Sequence, residues 1–203
     1  MSAQPLKPMT VRADFAAIAA WVKPGARVLD LGCGDGALLR YLQGTLGVRG
    51  YGVEIDDANV LACLHNGVNV IQGDLESGLS VFESASFDHV ILSQTLQAVR
   101  HTEIIVKEIL RVGFEGIVSF PNFGYWRNRL QILAGRMPVS DTLPYQWFDT
   151  PNVHLCTLKD FETFCRQHEV RILERRVMQG EGVVTFLPNW LGDLAFYRFE
   201  QLR

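Results

Sequence analysis

The chain has 203 residues, of which 48% are hydrophobic and 20% are charged, so it is long enough to bury one sizeable core and too short for two large domains. Its formal net charge of -3 argues against a broad electropositive surface, and it contains no apolar run long enough to span a bilayer. We therefore expect neither nucleic acid nor a membrane among its partners. The N-terminus lacks a basic segment followed by an apolar core, which favours a cytoplasmic protein.

Hydrophobic periodicity predicts that helices and strands alternate along most of the chain. Residues 1–10 contain Pro5 and Pro8 with little periodicity, and we expect them to form a loose lead-in to a single domain over residues 11–203. The alternation is typical of a parallel sheet covered by helices on both faces, with ligands bound at the carboxyl ends of the strands. The predicted strands are 27–31, 50–55, 68–72, 87–93, 114–120, 170–178 and 194–199, and the predicted helices are 14–22, 37–46, 57–65, 102–111, 125–135 and 158–168.

Residues 28–36 combine the end of a short buried strand, a turn with three glycines and two carboxylates. Glycine allows a tight turn and lets a ligand approach the backbone without meeting a Cβ. The spacing of Gly32, Gly34 and Ala37 satisfies the dinucleotide fingerprint G-x-G-x-x-[GA], which is a weak signal on its own. Two ligand classes use such a turn, namely dinucleotides and S-adenosylmethionine (SAM).

The carboxylates of Asp30 and Asp35 favour SAM over a dinucleotide. A pyrophosphate beside them would bring like charges together at a helix N-terminus. SAM carries no phosphate and presents a sulfonium and an ammonium, which carboxylates attract through charge-assisted hydrogen bonds. We therefore predict SAM or S-adenosylhomocysteine as the cofactor, and NAD(P) is the alternative.

Further acids follow the second and third predicted strands. Glu54 closes the second strand and can accept hydrogen bonds from both hydroxyls of a ribose, with a solvated strand-end acid as the alternative. Asp74 is placed to accept from the adenine amine or to act as a turn aspartate, and Asp56 and Asp57 are expected to cap the next helix. The predicted cofactor-binding residues are Asp30, Gly32, Cys33, Gly34, Gly36, Glu54, Ile55, Asp74, Leu75, Ser93 and Gln94.

The remaining polar motifs predict neither a metal site nor a phosphate site. The four cysteines form no C-x-x-C pair and have no histidines at metal-ligand spacing. Cys33 lies inside the glycine turn, where a structural role is favoured over a nucleophilic one. Arg127, Arg129 and Arg136 are interpreted as the solvated face of an amphipathic helix.

Residues 136–157 form an irregular segment in which we predict a lid or interface insertion. A loop of this length in a compact domain is usually a lid, a binding segment or an interface. Its prolines and large aromatic residues are Pro138, Pro144, Pro151, Tyr145, Trp147 and Phe148.

These motifs resemble those of class I SAM-dependent methyltransferases, and from about residue 12 to residue 200 the chain is similar to the MetW family of methionine biosynthesis proteins. The glycine turn is shared widely among methyltransferases, whereas the other matching stretches are more specific. The resemblance implies a Rossmann-like, doubly wound, mostly parallel seven-stranded sheet whose last strand is antiparallel. It also implies that the protein is a required partner or regulator of homoserine O-acyltransferase. The matching stretches are residues 29–36, 119–126, 143–152 and 154–157.

No catalytic base is identifiable, so whether the chain is an enzyme stays open at this point. Alignment of an acceptor with the methyl group supplies much of the acceleration, and a base is needed only for a protonated acceptor. The fourth strand ends in residues 93–96, SQTL, and not in the Asn/Asp-Pro-Pro-Tyr/Phe motif of amino-group methyltransferases. The weak candidates are His154, Tyr125 and Asn122, each with a structural role as the alternative. The alternative function is an active SAM-dependent methyltransferase with a small-molecule acceptor.

Overall fold

The computed structural model describes residues 12–202, so the predicted lead-in over residues 1–10 lies outside the described residues. Short 3-10 helices cover Leu75–Ser77 and Leu96–Ala98. The helices are α1 (Ala13–Ala19), α2 (Ala37–Leu46), α3 (Asp57–His65), α4 (Thr102–Val112), α5 (Trp126–Leu133), α6 (Leu158–Gln167) and α7 (Pro188–Leu191). The strands are β1 (Arg27–Leu31), β2 (Arg49–Glu54), β3 (Val70–Gln72), β4 (Phe87–Ser93), β5 (Gly113–Pro121), β6 (Val170–Gln179), β7 (Gly182–Val183) and β8 (Leu194–Gln201).

The strands form one sheet in the order β3-β2-β1-β4-β5-β8-β6-β7. The pairs among β1 to β5 are parallel, whereas β8 runs antiparallel to both β5 and β6. The predicted Rossmann-like class is therefore confirmed, including the antiparallel last strand. Within residues 12–202 the sheet has eight strands where seven were expected, because β7 adds a two-residue hairpin partner at the β6 edge.

Helices cover both faces of the sheet, and each face has its own core. Ile109 of α4 and Phe161 of α6 are buried against one face. Ile18 of α1 and Leu42 of α2 are fully buried against the other. Burial of these apolar faces stabilises the three layers and holds the carboxyl ends of β1, β2 and β4 at one edge.

Helix starts confirm one predicted cap and correct another. The side chain of Asp56 accepts a hydrogen bond of 2.9 Å from the backbone N–H of Asn59, so Asp56 caps α3 as predicted. Asp14 precedes the apolar periodicity of the first predicted helix and is therefore a plausible N-cap by sequence, but α1 begins at Ala13 with Arg12 as its N-cap. Asp14 lies in the first turn and pairs with Arg12 at 2.6 Å.

Helix α5 differs from the expected amphipathic helix. Its buried residue is Asn128, whose side-chain amide donates to the carbonyl of Asn122, and Leu133 is 82% exposed. Arg127 lies in solvent as expected, whereas Arg129 is half-buried and donates to the carbonyl of Gly124 at 2.6 Å. The helix therefore presents apolar side chains to solvent. Within residues 12–202, no helix combines the length and the hydrophobicity that a membrane crossing requires.

Candidate functional site

The glycine turn that follows β1 has three residues in the left-handed region of backbone space. Gly32, Gly34 and Gly36 have φ values of 66°, 56° and 75°. A Cβ on Gly32 would lie 2.7 Å from the side chain of Thr95, and one on Gly36 would lie 3.0 Å from Sγ of Cys63. Glycine is therefore needed here both for the dihedral angles and for the close approach of neighbouring side chains.

A cleft lies outside the carboxyl ends of β1, β2 and β4, at the point where the strand order reverses. It has two adjoining parts of about 290 and 470 Å³, and Gly32 and Gln94 line both of them. We call this the strand-end cleft. Every predicted cofactor-binding residue lines it except Gly36, which is buried at the start of α2. The sequence thus predicted residues that the fold brings together, and their contact with a cofactor stays a prediction.

Glu54 is held at the end of β2 by three backbone N–H groups. Its Oε2 atom accepts from Gly34 at 2.8 Å, and its Oε1 atom accepts from Ile55 at 2.9 Å and Asp56 at 3.0 Å. The residue is 8% exposed. A carboxylate offers about four lone-pair sites. One site is therefore left for a ribose hydroxyl, whereas the predicted contact with both hydroxyls would require shared hydrogen bonds.

Asp30 lies beside Glu54 and is 2% exposed. Its Oδ1 atom has no hydrogen-bond partner among residues 12–202. Burial, with a smaller contribution from the charge of Glu54, raises the pKa of Asp30 to about 8. Burial therefore favours the neutral form of the Asp30 carboxyl group when no ligand is bound.

The other acids at the cleft are more exposed and already have backbone partners. Asp74 caps the 3-10 helix at Leu75–Ser77, and its Oδ1 atom accepts from the backbone N–H of Glu76 at 2.9 Å. The turn role is therefore present, and the residue also lines the cleft. Asp35 accepts from the N–H of Ala37 at 3.1 Å.

Cys33 fits the structural role that the sequence favoured. Its Sγ atom lies 3.7 Å from Sγ of Cys63. Both residues are buried, and burial raises the pKa of the Cys33 thiol. A protonated thiol is a poor nucleophile. Cys33 therefore packs the glycine turn onto α3.

Gln94 closes the cleft from the end of β4 in a strained backbone conformation, with a φ of 52°. Its backbone N–H donates to the carbonyl of Ser119 at 2.9 Å, and its own carbonyl accepts from the side chain of Gln97 at 2.7 Å. Such strain persists where the surroundings enforce it and is common at functional sites. Sequence reasoning missed Arg12, Phe15 and Pro151, which also line the cleft; Arg12 and Phe15 belong to no recognisable motif.

A separate apolar cavity of about 480 Å³ lies between α4, α6 and the insertion at residues 136–157. His154 lines it, and its Nε2 atom is 2.9 Å from the carbonyl oxygen of Arg100. No described residue lines both this cavity and the strand-end cleft. The main apolar residues of its wall are Leu96, Ile104, Phe120, Leu143, Phe161 and Phe164.

The other two catalytic candidates lie outside this cavity. Asn122 is fully buried, and its side-chain amide donates to the carbonyl of Gly192 at 2.7 Å. Tyr125 is 4% exposed, and its hydroxyl accepts from the side chain of Gln179 at 2.9 Å. Of the three catalytic candidates, His154 is therefore the one that lines the apolar cavity, and its catalytic role stays a prediction.

Two thin walls separate the apolar cavity from the strand-end cleft. In the 3-10 helix at Leu96–Ala98, Leu96 and Gln97 face the cavity and Ala98 faces the cleft. In the insertion, Pro151 lines the cleft and His154 lines the cavity. The backbone N–H groups of Val153 and His154 both donate to the carbonyl of Gln97, so the two walls are hydrogen-bonded to each other.

The fold is that of the class I SAM-dependent methyltransferases. A SAM-dependent methyltransferase from Mesorhizobium loti matches with a TM-score of 0.70 and 15% identity, over 94% of this chain and 99% of that one. Another from Thermotoga maritima, described as a possible histamine N-methyltransferase, matches with a TM-score of 0.67 and 18% identity, over 94% and 88% of the two chains. The family model "Methionine biosynthesis protein MetW" matches residues 12–199. The chain therefore belongs to the MetW family.

Two curated relatives match the sequence. The bifunctional methionine biosynthesis protein MetXA/MetW of Rhodopirellula baltica is 38% identical over 207 residues, which cover 95% of this chain and 33% of that protein. Phthiotriol/phenolphthiotriol dimycocerosates methyltransferase 1 of Mycobacterium ulcerans is 33% identical over 93 residues, 43% of this chain and 34% of that protein. The chain spans about one third of the length of these relatives.

Proposed function

We propose that this protein binds SAM or S-adenosylhomocysteine in the strand-end cleft and acts in methionine synthesis as the partner or regulator of a homoserine O-acyltransferase. One observation carries the proposal. In a chain of the MetW family, the glycine turn after β1 and the acids that end β1 and β2 converge on a single cleft. Acidic and backbone groups around a glycine turn suit a ligand with a sulfonium and an ammonium.

The Rhodopirellula relative supports the partnership. Its name joins MetXA and MetW in one bifunctional protein. We take the MetXA part to correspond to the homoserine O-acyltransferase that the family resemblance implies. Covalent linkage raises the effective concentration of two modules for each other. We propose that the MetW part carries a docking surface for such a partner.

The insertion at residues 136–157 is our proposed lid or interface. Trp147 and Phe148 are 73% and 70% exposed, and Tyr145 is 47% exposed. Exposed aromatic side chains in one segment are typical of protein interaction surfaces. Because Pro151 of the same segment lines the strand-end cleft, a partner bound to the insertion would contact the wall of the ligand site.

This arrangement suits regulation by an end product. SAM is made from methionine, so a SAM site on a protein of methionine synthesis can report the level of the product. Such a sensor requires that SAM bind one state of the complex more tightly than the other.

Purified protein and its cognate homoserine acyltransferase test the proposal. We expect SAM or S-adenosylhomocysteine to bind in calorimetry, the two proteins to co-elute, and the acylation rate to depend on this protein and on SAM. A Glu83→Gln variant, altered at an exposed acid outside the cleft, should behave as the wild type. Normal SAM binding without any effect on the acyltransferase would refute the partnership and leave the ligand site intact.

The apolar cavity supports one second candidate, an active methyltransferase with a largely apolar small-molecule acceptor, which requires that the walls at residues 96–98 and 151–154 open so that the acceptor reaches the methyl group. A cavity of about 480 Å³ is of the size that holds small ligands. The Nε2–H group of His154 donates a hydrogen bond to the carbonyl of Arg100, so Nδ1 is the nitrogen left to accept a proton from an acceptor. Methyl-labelled SAM and cell extract should then give a labelled product with the wild type and less with His154→Gln. Equal labelling by both proteins would remove His154 from the reaction.

A further inference from the structure

We infer that the apolar cavity is a second ligand site, which takes a neutral small molecule with an apolar body and one hydroxyl or N–H donor. Gln97 couples this site to the strand-end cleft. The coupling rests on the proposed function and deepens it, because it adds a second ligand that regulates SAM binding. The cavity site itself does not depend on the proposed function.

The lining of the cavity favours an apolar body. Phe120, Phe161 and Phe164 form part of its wall, and the ring centres of Phe120 and Phe161 are 5.1 Å apart. Aromatic rings offer a large apolar contact area and prefer tilted or offset contacts with other rings. The volume of about 480 Å³ lies in the range of pockets that hold small molecules.

The charged side chains around the cavity favour a neutral ligand. Glu103 pairs with Lys107 at 2.6 Å, and Asp160 completes the capping box of α6. Arg100 and His101 also line the cavity, and both are exposed to solvent. Each of these groups is therefore paired or hydrated, and none requires a counter-charge from a ligand.

Gln97 supplies the polar atom that selects the ligand. Its Nε2 atom donates to the carbonyl of Gln94 at 2.7 Å, and a carbonyl oxygen can only accept, which fixes the orientation of the amide. Its Oε1 atom is buried and has no hydrogen-bond donor among residues 12–202. A buried acceptor without a donor is unfavourable. Since Gln97 lines the cavity, a ligand with a hydroxyl or N–H group brings the donor that this atom lacks.

The same amide connects the cavity with the strand-end cleft. Gln94, whose carbonyl it holds, lines both parts of the cleft and has a φ of 52°. The backbone carbonyl of Gln97 accepts from Val153 and His154 of the insertion. A donor bound to Oε1 strengthens this chain of hydrogen bonds and holds Gln94 in its strained conformation. A ligand in the cavity should therefore raise the affinity of the cleft for its own ligand, and the reverse follows by linkage.

Two matched probes and the full chain test the cavity site. 2-Naphthol has an apolar body with a hydroxyl donor, whereas 2-methoxynaphthalene has the same body without a donor. In fluorescence titrations 2-naphthol should bind about fivefold more tightly than 2-methoxynaphthalene. Gln97→Met removes the acceptor and should bind the two probes equally.

A pair of tryptophan variants locates the probe. Ile104 lines the cavity and is 57% exposed, so the larger side chain of Ile104→Trp should block the site and abolish 2-naphthol binding. Ile132 of α5 is 46% exposed and lines neither the cavity nor the cleft. Ile132→Trp should therefore bind 2-naphthol as the wild type does.

Calorimetry of S-adenosylhomocysteine binding tests the coupling. Saturating 2-naphthol should raise the affinity of the wild type for S-adenosylhomocysteine about fivefold. It should have no effect on Gln97→Met or Ile104→Trp. If Gln97→Met does not fold, the wild type decides, because 2-methoxynaphthalene should raise the affinity less than 2-naphthol.

The failures are distinguishable. Absence of S-adenosylhomocysteine and SAM binding would overturn the proposed function and the coupling, and the cavity site would still be decided by the 2-naphthol titration. Equal binding of the two probes by the wild type, or 2-naphthol binding retained in Ile104→Trp, would overturn the cavity site. Binding of 2-naphthol without a change in S-adenosylhomocysteine affinity would overturn the coupling alone. Displacement of 2-naphthol by the acyltransferase would assign the cavity to the partner protein instead.

Discussion

The carboxylate of Glu54 accepts a hydrogen bond of 2.8 Å from the backbone N–H of Gly34, which ties the end of β2 to the glycine turn after β1. The same side chain is the proposed ribose ligand, so it both shapes the turn and lines the cleft. Loss of its charge should therefore affect the ligand and the turn together.

Glu54→Gln should weaken SAM binding by roughly 1–3 kcal/mol, the range for hydrogen bonds to charged groups. A glutamine offers one acceptor oxygen where Glu54 uses two to receive three N–H groups. Calorimetry on the two variants Glu54→Gln and Glu83→Gln measures the effect, with the second as the control. Wild-type affinity in a folded Glu54→Gln protein would place the ligand elsewhere.

The substitution Asp30→Asn should raise the free energy of unfolding of the ligand-free protein more at pH 8 than at pH 4. The pKa of Asp30 is raised from 3.8 to about 8 on folding, so its contribution to stability is full below pH 3.8 and is lost as the pH rises towards 8. An asparagine removes this loss. The gain at pH 8 over pH 4 should be on the order of a few kcal/mol, measured by denaturant unfolding at both values. An equal effect of the substitution at the two pH values would contradict a neutral Asp30.

Gly34→Ala and Gly36→Ala form a matched pair within the glycine turn. Both residues have positive φ values, so an alanine at either should cost roughly 1–2 kcal/mol of backbone strain. A Cβ at Gly34 meets no atom within 4 Å, whereas one at Gly36 would lie 3.0 Å from Sγ of Cys63 and 3.1 Å from Val68. Thermal unfolding should therefore show the larger loss for Gly36→Ala. The reverse order would mean that the packing beneath the turn is looser than described.

Replacing both Trp147 and Phe148 by alanine should leave unfolding and SAM binding nearly unchanged, because both side chains are mostly exposed. Association with the acyltransferase should weaken at least tenfold if the insertion is the interface. The matched control replaces Leu61 and Leu64 of α3, which are 57% and 59% exposed. Equal binding by both double variants in a pull-down titration would assign the partner to another surface.

The order and type of the helices and longer strands in the first half of the fold could be predicted from the sequence, although α1 ends three residues before its predicted end and β3 begins two residues after its predicted start. Strand 27–31 and helix 37–46 agree with β1 and α2 at both ends, because hydrophobic periodicity and glycine or proline boundaries coincide there. The later elements β7 and α7 were missed, since two and four residues are too short to show a period. The buried side chain of Asn128 in α5 donates a hydrogen bond to the carbonyl of Asn122, and the local pattern of apolar residues does not reveal this contact.

The candidate site was predicted in location and only partly in chemistry. Glycines and acids at successive strand ends converge because parallel strands share one carboxyl edge. The raised pKa of Asp30 results from its burial and from the charge of Glu54. Backbone N–H groups donate to Glu54 and none donates to Oδ1 of Asp30, and this arrangement depends on how the strands pack. Arg12 and Pro151 reach the cleft from distant parts of the chain, and the pattern of glycines and acids at the strand ends does not mark them.

Hydrogen bonds hold the insertion to the rest of the fold near both of its ends, so the residues between them can be replaced. The side chain of Gln131 bonds both backbone groups of Val139 near its start, and the carbonyl of Gln97 holds Val153 and His154 near its end. Residues 144–150, which lie between these two sets of hydrogen bonds, are all exposed. The entropic cost of closing a loop grows slowly with its length. Residues 144–150 can therefore be exchanged or lengthened without a large loss of folding stability. Grafting residues 144–150 between relatives would therefore transfer the outer surface while leaving both cores intact.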